Sequence, residues 1–480
     1  MARHQNYIAG RWIPAASGDL YQTHNPACPS QVVGEFPRSG PADVESAVIS
    51  AEAARAIWNN TQAPQRAAIL LRFSQLLLDS KDELAKIITL EQGKALCESM
   101  GEVTRAASEA AFAAGEALRL SGQTFPSESP GVTCYTVLQP VGIVVAITPW
   151  NFPVVSPVRK IAPAVACGNT VILKPASLTP WTATFITSLF EKAGFPPGVL
   201  NLVIGSGECG EELISDPRVR GISFTGSTAV GIRIAEKVAG RMAKIQLELG
   251  GKNPAIVVQC NDLDRAAQEI VGAAFLCSGQ RCTALSRVIV EESQADQLRD
   301  RLSTQIAKIR VGNGLDPQTT MGPVVSGEQL GTVAGYVRKG LDEDATLVAG
   351  GRPLSEKPES EGYFYAPTLF DHVSPASALA REEIFGPVLP MIRVKGAEEA
   401  FAVANSTRYG LAASLFTANP HLVNEFIQNV ESGMVHVNHG TASHAHVPFG
   451  GVKDSGQGAF SIGPTVKDAF TTVKTVYIKW

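Results

Sequence analysis

The chain of 480 residues has no C-x-x-C pair. Its eight cysteines are scattered, which argues against a disulfide frame and for free thiols in a reducing compartment. No apolar run reaches the length of a membrane span. No signal-peptide core follows Met1, so a cytoplasmic protein is expected. A formal net charge of −4 leaves no basic footprint for nucleic acid. His436, His439, His444 and His446 cluster, but they lack a carboxylate or thiolate at ligand spacing, and no metal is expected. No internal repeat or low-complexity segment interrupts the chain. What remains is 45% hydrophobic and 18% charged, a composition typical of a globular protein with more than one domain.

Residues 1–40 hold short strand-like pieces at Tyr7-Ile8 and Gln31-Val32-Val33. Residues 41–120 read as helical scaffold. Pro64 suits the first turn of one helix, and Ile69, Leu70, Phe73, Leu76 and Leu77 form its apolar stripe. The run 132–137 reads as a strand in an arm that could pair with another subunit. From Val141 strand and helix alternate: strands at 141–147, 170–174, 199–204, 221–224 and 245–248, with helices at 154–167 and 180–193. That order predicts a parallel sheet covered on both faces, with ligands beyond the carboxyl ends of its strands. A glycine-containing hinge at 249–254 leads to a second α/β unit. In it a helix from Asp264 is expected to run toward Cys282, followed by a strand at 286–290 and a helix at 294–309. The alternating tail 470–477 is a candidate partner for the arm.

Several residues at strand ends could carry chemistry, each beside a plainer reading. Cys282 follows Gly279-Gln280-Arg281. The arginine favours a thiolate, and the glycine lets backbone approach a ligand, although a lone cysteine is often only a buried one. Asn151 lies between Pro149 and Pro153 and could be a rigid oxyanion donor or a turn residue. Glu248 ends an apolar strand before two glycines and could be a general base or a salt-bridged strand end. Lys174 ends another strand and could hold ribose hydroxyls or a phosphate, or be solvated. Gly205-Ser206-Gly207-Glu208-Cys209-Gly210 matches a dinucleotide fingerprint, but the acidic residue expected after the next strand is missing. Thr225-Gly226-Ser227 opens a helix and suits a phosphate better, with a simple helix cap as the alternative.

Seven strings occur together and in order: Pro-Trp-Asn-Phe-Pro (149–153), Lys-Pro-Ala-Ser (174–177), Phe-Thr-Gly-Ser (224–227), Leu-Glu-Leu-Gly-Gly-Lys-Asn-Pro (247–254), Gly-Gln-Arg-Cys (279–282), Glu-Glu-Ile-Phe-Gly-Pro (382–387) and Pro-Phe-Gly-Gly (448–451). As a set they resemble the motifs of the NAD(P)-dependent aldehyde dehydrogenase superfamily, over nearly the whole chain. The semialdehyde dehydrogenases among them are the nearest in look.

The resemblance implies two Rossmann-like parallel-sheet domains and a β-strand oligomerisation arm. Residues 1–121 and 143–251 would form the dinucleotide-binding domain, 252–453 the catalytic domain, and 122–142 with 466–480 the arm of a homodimer or homotetramer. It makes Cys282 the nucleophile, Glu248 the base, and Asn151 with the Cys282 N–H the oxyanion hole. Trp150, Lys174, Pro175, Ala176, Ser177, Gly226, Ser227, Leu249, Glu383 and Phe385 would hold NAD or NADP. Ser177 replaces an acidic residue common in NAD-preferring relatives and so admits a 2′-phosphate. Retention of Glu248 favours release of a free acid over transfer to coenzyme A. On the substrate side the resemblance points to Phe152, Arg159, Arg281 and Phe449. Arg159 matches a position that binds a distal carboxylate in semialdehyde dehydrogenases. A second arginine common in those relatives is Leu276 here, and Arg281 is the candidate to compensate. The alternatives are a broad-range aliphatic or aromatic aldehyde dehydrogenase, or a non-catalytic protein on the same fold.

Overall fold

The computed structural model describes residues 2–354 and 361–480. Two twisted, mainly parallel sheets organise the chain. The first has eight strands. Its parallel centre runs Leu200–Leu202, Thr170–Lys174, Ile143–Ile147, Val219–Thr225, Lys244–Glu248, and short antiparallel strands flank it. Asn6–Ile8 and Arg11–Ile13 come first and form one edge. Within the parallel centre the chain starts in the middle, at Ile143–Ile147, builds outward to Leu200–Leu202, then crosses to the other side. The crevice at that reversal lies between the ends of Ile143–Ile147 and Val219–Thr225, where an open α/β sheet takes its ligands. Trp150 and Asn151 leave one of these strands, and Gly226 and Ser227 leave the other.

The second sheet has seven strands in the order Thr346–Ala349, Thr368–Asp371, Val388–Val394, Leu285–Glu291, Asn253–Val257, Ala412–Phe416, Met434–Val437. All pair in parallel except the first. Val, Ile and Leu run without alternation through central strands such as Ile143–Ile147 and Val388–Val394, which are buried on both faces. The tail strand Thr471–Lys479 pairs antiparallel with Val132–Pro140 over its full length, so the arm and the tail do meet.

The helix Val155–Ala166 is buried along its whole length, as its nearly continuous apolar sequence requires. It packs on the alanine-rich helix Leu96–Ala117, whose small side chains admit a close approach. The helix Ala63–Asp79 buries Leu70, Phe73 and Leu77, with Ile69 and Leu76 partly covered, as its periodicity predicts.

One helix departs from expectation. It starts at Leu263, capped by Asp262, and stops at Phe275 instead of running on toward Cys282. Cys277, Ser278 and Gly279 follow in left-handed backbone, with φ of 55°, 57° and 71°. Two non-glycine residues there are costly, and tertiary bonds hold them: Cys277 N–H donates to Glu98 at 2.7 Å and Ser278 Oγ to the Gly322 carbonyl at 2.7 Å. Gly279 does allow a close approach, but the neighbour is the main chain of Gly386, where a Cβ would collide.

Candidate active site

A cavity of about 530 Å³ lies where the carboxyl ends of the first sheet's strands face the segments that lead into the second sheet's strands, with Cys282 and Thr283 just before Leu285–Glu291 and Glu383 and Phe385 just before Val388–Val394. Cys282, Glu248 and Asn151 all line it, with Trp150, Phe152, Arg159, Gly226, Ser227, Leu249, Arg281, Glu383, Phe385 and Phe449. Lys174, Pro175, Ala176 and Ser177 do not. They follow the neighbouring strand, where Lys174 Nζ folds back onto the Pro175 carbonyl at 2.9 Å and exposed Ser177 reaches the Gly205 carbonyl at 3.3 Å. The segment Gly205–Gly210 is also outside the cavity. Ser206 caps the helix Gly207–Ser215 there.

Cys282 sits in the turn between the left-handed segment and the strand Leu285–Glu291. Its carbonyl accepts from Asn253 Nδ2 at 2.7 Å, and its N–H donates to nothing among the described residues. The expectation that an adjacent arginine lowers the thiol pKa is only half met. Arg159 and Arg281 pull it down, but burial first and the Glu248 carboxylate second push it up to about 12. The thiol is therefore protonated at rest.

Glu248 is buried at the end of its strand. Oε2 accepts from Thr225 Oγ1 at 3.1 Å, and Oε1 has no partner. Asn151 Nδ2 donates to the Gln280 carbonyl at 2.9 Å, tying the first sheet's crevice to the turn that leads to Cys282. An amide carries two N–H groups, so this bond uses one.

Glu383 rests on the hinge. Gly251 N–H donates to its Oε1 at 3.1 Å, and a side chain at Gly250 would collide with its Oε2. Burial pushes its carboxyl up to about 7, against the pull of the Gly251 N–H and Lys252. Phe385 has φ 55° and stands edge-on to Trp150 at 5.3 Å. Ser227 caps the helix Thr228–Ala239, whose first turn opens at the cavity edge. These features fit a dinucleotide: a helix N-terminus for phosphate, a carboxylate on bare glycine backbone for a ribose, and two aromatic rings beside them.

Four cations line the cavity, and three are answered by glutamate. Lys94 bonds Glu102 at 2.8 Å, Arg105 bonds Glu109 at 2.8 Å, and Arg159 bonds Glu109 through Nε and Nη2 at 3.0 and 2.7 Å. Arg159 also stacks over Phe449 at 4.5 Å. Among the described residues Arg281 has no carboxylate bond. Its Nη2 donates to Thr441 Oγ1 at 2.9 Å and its Nε is buried without a partner. Glu98 is the nearest acid in charge terms, but its oxygens hold the N–H groups of Cys277 and Ala95.

Lys94, Glu98, Glu102 and Arg105 belong to the region read from sequence as mere scaffold, and that reading needs correction, since all four line the cavity. The histidines pair as His436–His439 and His444–His446, and the described residues contain no group of three or more potential ligands suited to a metal. No described helix is long and apolar enough to cross a membrane.

Residues 12–476 match the model of the aldehyde dehydrogenase family. The chain is 39% identical over 476 residues to an alpha-ketoglutaric semialdehyde dehydrogenase of Bacillus subtilis strain 168, covering 99% of this chain and 98% of that one. An NADP-dependent enzyme of E. coli superposes with a TM-score of 0.97 at 35% identity, over 100% of this chain and 98% of that one. An NAD-dependent aldehyde dehydrogenase of Sinorhizobium meliloti superposes with a TM-score of 0.97 at 35% identity, over 100% and 95%. With likeness of this extent in both sequence and fold, the chain belongs to the aldehyde dehydrogenase family.

Proposed function

We propose that the enzyme oxidises an aldehyde that carries a carboxylate at its far end to the dicarboxylic acid, with NAD or NADP as oxidant. The observation that carries this reading is the meeting of Cys282, Glu248 and Asn151 in one cavity beside the Glu383 cradle. Residues 1–121 with 143–251 would be the dinucleotide-binding domain, 252–453 the catalytic domain, and 122–142 with 466–480 the arm. Val473 and Tyr477 on the tail strand are 67% and 72% exposed, which supports the arm as the contact of a homodimer or homotetramer. All eight cysteines are free, which supports a reducing, cytoplasmic setting.

Glu383 would hold the nicotinamide ribose, Gly226 and Ser227 the pyrophosphate, and Lys174 with Ser177 the adenosine end. Pro175, Ala176, Trp150, Leu249 and Phe385 would complete the walls. The bound nicotinamide supplies a two-electron hydride acceptor. Cys282 gives its proton to solvent water as substrate arrives, and its sulfur attacks the aldehyde carbon. The new oxyanion takes hydrogen bonds from the free Cys282 N–H and from Asn151. Loss of a hydride from the thiohemiacetal leaves a thioester on Cys282. Glu248, with Oε1 unengaged, takes a proton from water as that water attacks the thioester. The acid departs, and the thiolate is restored.

The distal carboxylate would meet Arg281, the cavity cation without a glutamate, with Arg159 behind it and Phe152 and Phe449 as apolar walls. Arg281 is half-buried with its Nε enclosed and unmet, which is costly, and a substrate carboxylate would relieve that cost. The similarity to a semialdehyde dehydrogenase supports the same class.

The test is reduction of NAD and of NADP with matched carboxylated and neutral aldehydes. Turnover with carboxylated aldehydes, lost in Cys282→Ala, is the expected result. Turnover with neutral aldehydes alone would favour a broad-range enzyme, and no turnover at all would favour a non-catalytic protein.

A further inference from the structure

Lys94 lies in none of the motifs, yet its side chain is only 1% exposed in the cavity wall. Gly93, at φ 96°, ends the helix Lys81–Gln92 and turns Lys94 inward. Lys94 Nζ donates to the main-chain carbonyl of Asn151 at 2.6 Å and to Glu102 Oε2 at 2.8 Å. Both side chains of the pair are at most 1% exposed. The other oxygen of Glu102 accepts from the N–H groups of Val154 and Val155 at 2.8 and 3.1 Å. The ammonium also lies 4.1 Å from the centre of the Phe152 ring. One ion pair therefore grips the whole turn from Asn151 to Val155. On the far side, Asn151 Nδ2 is tied to Gln280 in the turn before Cys282.

We propose that Lys94, acting through its ion pair with Glu102, is a positioning residue that aims the Asn151 amide at the developing oxyanion. This rests on the catalytic reading of Asn151 given above. A buried ion pair contributes little net stability compared with apolar packing of the same volume. What this pair supplies is direction: it fixes the Asn151 carbonyl, and thereby the peptide from which the side-chain donor projects. An oxyanion donor works only within a few tenths of an ångström of its place, so a small shift of that peptide is expensive.

The test compares Lys94→Met, Asn151→Ala and the two combined, with two readouts. The first is kcat and KM for the aldehyde. The second is the rate at which iodoacetamide alkylates Cys282, against a Cys282→Ser control, since that reaction needs the thiolate but forms no oxyanion. Lys94→Met is expected to lose about a hundredfold in kcat with KM little changed. Its alkylation rate stays within about twofold of wild type. The combined variant is no slower than Asn151→Ala alone, because the two residues act as one unit. Losses that multiply, an alkylation rate that falls with kcat, or an unchanged kcat would each overturn the proposal. If Lys94→Met does not fold, Lys94→Met/Glu102→Gln leaves no unpaired buried charge and gives the same comparison. Full activity in Asn151→Ala would instead remove the catalytic reading itself, a result distinct from full activity in Lys94→Met alone.

Discussion

The two walls of the cavity treat charge in opposite ways. On the helical wall, built around Lys81–Gln92, Leu96–Ala117 and Val155–Ala166, each cation that lines the cavity has its carboxylate: Lys94 has Glu102, and Arg105 and Arg159 share Glu109. On the hinge wall, Glu248 Oε1 and Arg281 Nε are buried without partners, Glu383 has one main-chain N–H, and the Cys282 amide is free. Folded proteins rarely leave buried polar groups unmet, because each costs about 1–3 kcal/mol. The first wall spends its charges on holding shape. The second keeps them for what binds.

Breaking the hinge wall should therefore cost chemistry without costing the fold. The largest effect is expected from Glu248→Gln, which would slow steady-state turnover by about 10²–10⁴-fold while one equivalent of reduced cofactor still forms per site. The same change has a second, opposite signature. Glu248 helps raise the Cys282 thiol, so removing its charge lowers that pKa, and iodoacetamide should react faster at fixed neutral pH. Normal turnover, or slower alkylation, would contradict the assignment.

The next effect separates the walls directly. Arg281→Gln should lower kcat/KM for a carboxylated aldehyde by about 10–100-fold, the worth of a hydrogen bond to a charged group. A neutral aldehyde of equal length should lose much less, and the melting temperature should hardly move. Arg159→Gln removes half of a buried network instead. It should destabilise the protein by about 3 kcal/mol and harm both aldehydes alike. A selective loss in Arg159→Gln, with none in Arg281→Gln, would reverse the roles and place the carboxylate on the helical wall.

This asymmetry also marks what a sequence can reveal. The hinge wall was legible because its residues sit at strand ends, in short strings whose order is specific. Local signals alone placed the strand Thr170–Lys174, between Asn169 and Pro175, at its observed limits. The ion pairs of the helical wall were not legible, although Arg159 itself was named. Lys94 meets the Asn151 carbonyl 57 positions away, and Arg159 meets Glu109 across 50, so no local pattern shows either pair. The early stop at Phe275 was hidden for the same reason: left-handed Cys277 and Ser278 persist only because Glu98 and the Gly322 carbonyl hold them. The thiol's raised pKa depends on enclosure, which a neighbouring arginine in the sequence does not disclose.

The smallest effect tests the hinge wall without a loss of any side-chain contact. Glu383 is pushed up to about 7, by burial in the first place, so its charge changes near neutral pH. As a carboxylate it would accept hydrogen bonds from the hydroxyls of a bound ribose, and once protonated it would accept them poorly. Cofactor affinity should then be highest above the pKa and fall as pH drops through it, by less than about tenfold between roughly pH 8 and 6. Glu383→Gln cannot titrate, so its dissociation constant should be weaker and nearly flat over that range. Were wild type and Glu383→Gln to show the same slope, the titrating group would lie elsewhere, and the cradle on Gly250 and Gly251 would hold Glu383 for the fold, as the opposite wall holds its own charges.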